Sequence, residues 1–196
     1  MATTTLRDLN SFDQSPAQLA DSTLILIDYQ NTYTQGVMEL DGWKDALDAA
    51  ADLLARARAA GAKVIHVIND GGEGTPYDIR VEIGQIHPKV APVEGEPTVV
   101  KGKPNAFLDT NLGELVDAAA KGKVIIAGFM THMCVAFTAQ GAFLRGDHAT
   151  VVADASATRP LRTAAGEVSA ADLHLGALAT IEDLYGVVVA KGADLA

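Results

Sequence analysis

Three residues in this chain have the types that nucleophilic catalysis needs, and each sits where an apolar run stops. Cys134 is the only cysteine. It follows the run Lys123-Val-Ile-Ile-Ala-Gly128 and opens a helical segment that continues to about residue 145. A thiol there feels the positive end of a helix macrodipole and unpaired backbone N–H groups, both of which favour a thiolate. Asp28 ends the run Thr23-Leu-Ile-Leu-Ile27, and Lys101 ends Thr98-Val-Val100. A carboxylate can take a thiol proton and return it to a leaving nitrogen. An ammonium can offset the charge that develops between those two steps. Singly, each has an ordinary explanation: a small buried hydrophobe, a helix cap and a solvated cation.

The elements that carry these residues decide whether they meet. Apolar runs predict strands at 23–27, 63–68, 97–100, 123–127, 148–152 and 185–189. Helical patterns fall at 44–60, 109–121, 134–145 and 169–184, with Gly61 as a C-cap and Ser169 as an N-cap. The strands lack polar–apolar alternation and are apolar on both faces. That predicts a three-layer, Rossmann-like α/β fold with a central parallel sheet of about six strands. Ligands of such sheets sit at the carboxyl ends of the strands, so the topology would bring Asp28, Lys101 and Cys134 to one rim. Residues 1–20 read as an N-terminal arm on a single domain of residues 21–196. Residues 69–96 form a long Gly/Pro-rich connection of the kind used as a lid or binding loop. Its Tyr77 and Glu82 are substrate-binding candidates.

Bulk properties exclude several classes. At 196 residues there is length for one well-buried core, and 48% apolar with 20% charged residues describes a globular chain. The formal net charge of −10 argues against nucleic acid and anionic membrane partners. The apolar stretch 124–130 is far short of the roughly 20 residues a membrane helix needs. The first ten residues lack the apolar core of a signal peptide. One cysteine cannot form an intrachain disulfide, which fits a reducing compartment. These features predict a soluble, cytoplasmic protein whose partner is a small-molecule substrate.

Three motifs resemble the isochorismatase-like cysteine hydrolase superfamily, in order and on the expected elements. They are Leu26-Ile-Asp28-Tyr-Gln-Asn-Thr-Tyr33, Lys101-Gly-Lys-Pro-Asn-Ala-Phe107 and Ala127-Gly-Phe-Met-Thr-His-Met-Cys134-Val135. The resemblance implies a triad of Asp28, Lys101 and Cys134. It also implies a cis bond between Phe129 and Met130, with an oxyanion hole from the Met130 and Cys134 N–H groups. The implied reaction is hydrolysis of a C–N bond in a small amide, cyclic amide or imide through a thioester. Tyr33 and Phe107, which close the first two motifs, join the substrate-binding candidates, and a homo-oligomer is implied. Between two nearby lysines, the pattern falls on Lys101 and leaves Lys103 as a solvated neighbour.

The chain also departs from the family. Nicotinamidases carry an Asp-x-His metal site after the second strand, where this chain reads Asn69-Asp-Gly-Gly-Glu-Gly-Thr-Pro76, without histidine. No metal and no cofactor are therefore expected, and a nicotinamidase becomes an alternative. A vinyl-ether hydrolase acting on isochorismate is another, disfavoured by Cys134. Asn105 stands where serine is frequent and would alter the pocket wall. Loop residues 75–80 and 82–88 resemble the branch containing streptothricin hydrolases, which open a cyclic amide. Two rivals lie outside this chemistry: a nucleotide-binding module suggested by Gly71-Gly-Glu-Gly74, which lacks the G-x-G-x-x-G spacing, and a redox-sensing thiol protein.

Overall fold

The computed structural model describes residues 3–119 and 122–196. The chain runs α1 (Leu6–Leu9), β1 (Thr23–Ile27), α2 (Trp43–Ala59), β2 (Lys63–Asn69), β3 (Thr98–Lys101) and α3 (Leu112–Ala119). It continues through β4 (Lys123–Gly128), α4 (Ala136–Arg145), β5 (His148–Val152), β6 (Leu161–Thr163), β7 (Gly166–Val168), α5 (Ala170–Thr180) and β8 (Val187–Val189). Six strands form one sheet in the order β3-β2-β1-β4-β5-β8. Every neighbouring pair in it is parallel. The chain thus starts in the middle of the sheet and builds outward on both sides, which puts the topological switch point between β1 and β4.

Side chains of successive strand residues enter opposite cores, as the pleat requires. Leu24, Leu26, Val64, Ile125 and Ala127 pack with α2. Ile25, Ile27, Ile65, Val67, Val124 and Ile126 pack with α3, α4 and α5. On α2 the buried positions Ala46, Leu47, Ala50, Leu53, Leu54 and Ala57 make one stripe at helical spacing. Burying each such leucine contributes about 1.5–3 kcal/mol. Gly61, with φ of 71°, turns the chain from this helix into β2.

The boundaries differ from the sequence expectation where local hydrogen bonding intervenes. The helix expected from residue 109 starts at Leu112, because Thr110 Oγ1 accepts the Leu112 N–H at 3.1 Å. Its expected end at residues 120 and 121 lies outside the described residues. Wide turns occupy Thr131–Val135 and Ile181–Tyr185, so α4 begins after Cys134 and β8 begins at Val187. The exposed β6–β7 hairpin has too little apolar content to announce itself. Within residues 3–20, Ala17 and Leu19 are buried in the core on the α2 side.

Glu96, just before β3, joins this sheet edge to α2. It accepts from Arg58 Nε at 2.8 Å and Nη2 at 2.7 Å, and from the Val93 N–H at 3.0 Å. It also contacts His66 Nε2 at 2.9 Å. Burial opposes its ionisation, but these partners outweigh burial and hold its carboxyl at about 2. A carboxyl depressed in the folded state stabilises fully above its ordinary value of 4.5 and loses that contribution as pH falls toward 2. Urea unfolding across this window should show a steep acid loss in the wild type and a shallower one in Glu96→Gln. Parallel pH curves would refute the assignment.

Candidate active site

At the carboxyl edge of the sheet the three candidate residues come together. Asp28 leaves β1 with a left-handed φ of 53°, a conformation that aspartate tolerates better than most residues. Its N–H donates to the Val67 carbonyl at 2.9 Å, and its carbonyl accepts from the Gln30 N–H at 2.7 Å. Lys101 ends β3, two strands away, or about 10 Å at ordinary strand spacing. Its long side chain crosses the end of β2, where Nζ lies 3.4 Å from Asn69 Oδ1, and reaches Asp28 Oδ2 at 2.7 Å. The same Nζ lies 3.3 Å from Cys134 Sγ. Asp28 and Lys101 form an ion pair by distance, although its angles are not those of a directed hydrogen bond, and Asp28 Oδ1 has no hydrogen-bond partner among the described residues.

The segment between β4 and Cys134 is held by close backbone contacts. Gly128, with φ of 155°, packs so tightly on β1 that a Cβ would collide with the Ile27 carbonyl. The Phe129–Met130 peptide bond is cis. The Phe129 N–H donates to Ile27 at 3.0 Å and the Thr131 N–H to Ala157 at 3.0 Å. Two histidines brace the turn from either side: His132 Nδ1 lies 2.5 Å from Thr158 Oγ1, and His174 Nδ1 lies 2.8 Å from Thr131 Oγ1.

The electrostatics follow from burial. Asp28 is 0%, Lys101 2% and Cys134 7% exposed, so the thiol is the member of the group that keeps some access. Desolvation raises Asp28 above its ordinary value, and the Lys101 ammonium offsets only part of that. Burial would lower Lys101, but Asp28 and Cys134 outweigh it and hold the ammonium protonated. The thiolate expected from a helix-terminal position is not the resting form. Burial first, and then the adjacent Asp28 carboxylate, push the thiol up to about 12 against the partial offset of Lys101. Cys134 lies in the wide turn ahead of α4, where desolvation outweighs the helix dipole.

The other candidates divide. Tyr33 is buried, with its ring 5.7 Å from Phe129 and 5.7 Å from Tyr77. Its phenol is raised by burial and then by the nearby Asp28 carboxylate. Tyr77 of the long loop is half-buried against Tyr33; burial raises its phenol, the Tyr33 hydrogen bond opposes that, and the Cys134 and Asp28 charges add to the rise. Glu82 is exposed, and its contact with the turn after β1 is made by its backbone carbonyl, which accepts from Asn31 Nδ2 at 2.8 Å. Phe107 also lies away from the thiol, under the guanidinium of Arg145 at the far end of α4. Asn105 is not a pocket wall either. Its side chain lies against Gly141 within α4, where a Cβ would collide with it.

Sequence reasoning passed over Gln30, although it lies inside the first motif. Gln30 is buried and ties the 69–96 loop to β1, donating to the carbonyls of Asn69 at 2.9 Å and Gly84 at 2.7 Å while accepting the Asn69 N–H at 3.0 Å. The Thr32 hydroxyl, with one proton to donate, lies 2.6 Å from the Pro76 carbonyl and 2.9 Å from that of Ile83. Each histidine side chain other than His87 has a side-chain or carbonyl partner already named, or, for His148, the Ser15 carbonyl. Among the described residues no cluster of His, Cys, Asp or Glu is arranged to hold a metal ion, and no helix is long and apolar enough to cross a membrane.

A parallel α/β sheet with an acid, a lysine and a cysteine at its switch point defines a class of hydrolase-like domains. Residues 22–189 match the isochorismatase domain, and the chain belongs to that family. It is 33% identical to the secreted isochorismatase effector Isc1 of Verticillium dahliae, over 94% of this chain and 96% of that one. It is 36% identical to a streptothricin hydrolase of Streptomyces noursei, over 69% of this chain and 49% of that protein. Among solved structures, an isochorismatase from Pseudomonas putida KT2440 superposes with a TM-score of 0.96 at 37% identity, with full coverage of both chains.

The geometry predicts how the thiol titrates. Because the Asp28 carboxylate raises it and Lys101 lowers it, Asp28→Asn should bring thiolate formation below the wild-type value of about 12. Lys101→Met should move it the other way. Ultraviolet absorbance of the single thiolate across an alkaline titration reads both shifts, and a downward shift in the lysine variant would contradict the arrangement.

Proposed function

We propose that this protein is a cysteine-dependent hydrolase that cleaves the C–N bond of a small amide, cyclic amide or imide. One observation carries the reading: a single buried ammonium lies 2.7 Å from a carboxylate and 3.3 Å from the only thiol. Asp28, raised by burial, suits a group that must accept a proton and then give it away near neutral pH.

In this reading Asp28 takes the Cys134 proton as Sγ attacks the amide carbonyl and the C–S bond forms. Lys101 balances the negative charge that passes between thiol and carboxylate. The N–H groups of Met130 and Cys134 receive the oxyanion. Asp28 then passes its proton to the nitrogen, the C–N bond breaks, and ammonia or an amine leaves. Water, deprotonated by Asp28, attacks the thioester; the acid departs and Sγ recovers its proton. Tyr33 and Tyr77 bound the substrate beside the thiol, and no step requires a metal. A reducing compartment such as the cytoplasm keeps Cys134 as a thiol.

The raised thiol also argues against a redox sensor, since sensing cysteines are exposed and ionise easily. The test is ammonia release from a panel of small amides. Cys134→Ala should leave less than about 1% of kcat on any amide the wild type hydrolyses, and Lys101→Ala should lower kcat by about two orders of magnitude or more. Lys103 is 53% exposed and paired with Asp109, so Lys103→Ala should act mildly and mainly on KM. Equal losses in the two lysine variants, or a cysteine variant that keeps its turnover, would sink the mechanism.

A further inference from the structure

The Lys101 ammonium carries three N–H donors and no acceptor, and its side chain is fully buried, so a donor left without a partner would be costly. Among the described residues three groups approach Nζ: Asp28 Oδ2 at 2.7 Å, Cys134 Sγ at 3.3 Å and Asn69 Oδ1 at 3.4 Å. Two of these change during the proposed reaction. Asp28 becomes protonated, and Sγ becomes part of a thioester. The Asn69 amide does neither, so it is the one acceptor of the three that stays the same from start to finish.

The backbone fixes Asn69 from both sides. It is the last residue of β2 and pairs in register with Lys101, the last residue of β3, so the two side chains leave the sheet on the same face. The next N–H, that of Asp70, donates to the Lys101 carbonyl at 3.0 Å. On the β1 side the buried Gln30 amide takes the Asn69 N–H at 3.0 Å and donates to the Asn69 carbonyl at 2.9 Å. The Asn69 side chain must present its oxygen to Nζ, because its NH2 and the ammonium both only donate.

From this geometry we infer that Asn69 is a positioning residue, which holds the Lys101 ammonium between Asp28 and Cys134 while the proton moves between them. This rests on the amide-hydrolase reading and adds to it a residue that acts only through Lys101. Without Asn69 the ammonium would be drawn to its nearest and strongest acceptor, the Asp28 carboxylate, and away from the neutral thiol. The thiol would then lose the cation that favours its ionised form.

The first test needs no substrate. Asn69→Leu keeps the size of the side chain and removes the acceptor, and Asn69→Ala replaces it if melting curves show the leucine variant unfolded. At about pH 8 the rate at which methyl methanethiosulfonate, a small neutral reagent, modifies Cys134 follows the thiolate fraction. That rate should fall about threefold or more in the Asn69 variant, the direction expected for Lys101→Met. Added to Lys101→Met, the same substitution should change nothing further, because the residue acts through the lysine. An unchanged or faster rate, or an equal fall in the Lys101→Met background, would overturn the assignment. On an amide that the wild type hydrolyses, kcat should fall about tenfold or more while KM stays within about twofold. A change in KM with kcat intact would mean that Asn69 binds substrate instead. The two readings fail separately. Slower, lysine-coupled modification in a protein that releases ammonia from no amide keeps the positioning residue and removes the amidase; ammonia release at the wild-type rate by the variant does the reverse.

Discussion

The contact between Lys101 and Asp28 is the constraint around which the site is organised. Both side chains are almost wholly removed from water, and a buried ion costs several kcal/mol unless it is matched. Losing either partner would leave an uncompensated charge, which typically costs about 3–5 kcal/mol. The pair therefore dictates the ends of two strands that are not neighbours. β1 must stop at Asp28 in a left-handed turn, and β3 must end at a residue long enough to reach across β2. The same ammonium reaches Cys134, so a structural necessity and a chemical one meet in one atom.

Around that pair, the protein spends buried polar groups on holding backbone segments in place. Gln30 and Thr32 pin the long loop from the β1 side, and Asp78 closes it from within by accepting the N–H groups of Gly74 and Arg80. The turn before Cys134 is pinned by Ala157, Thr158 and His174. Satisfied buried networks of this kind specify one arrangement. A thiol held up to about 12 is a weak nucleophile at rest, so the proposed mechanism has Asp28 accept the proton as attack occurs.

Much of the fold was legible in the sequence because fully buried strands advertise themselves. Runs such as Thr23–Ile27 and His148–Val152 have the bounds that their composition predicts. Elements whose limits depend on a single hydrogen bond were not legible, as at Thr110, or at the wide turns that delay α4 and β8. The contacts of the candidate residues were not legible either: Tyr33 and Tyr77 meet ring to ring, Glu82 touches Asn31 through its backbone carbonyl, and Phe107 lies under Arg145.

What the sequence by itself determined is local: which segments are strands, which are helices, and that Asp28, Lys101 and Cys134 follow strands. Parallel topology then forces those three ends to one rim, because every strand in such a sheet points the same way. The tertiary structure alone decided the rest. The protonation state of Cys134 depends on how completely water is excluded around it, and the placement of Phe107 under Arg145 depends on how α4 packs. Neither is written in residue types or spacing, because desolvation and charge pairing are properties of the neighbours that packing supplies.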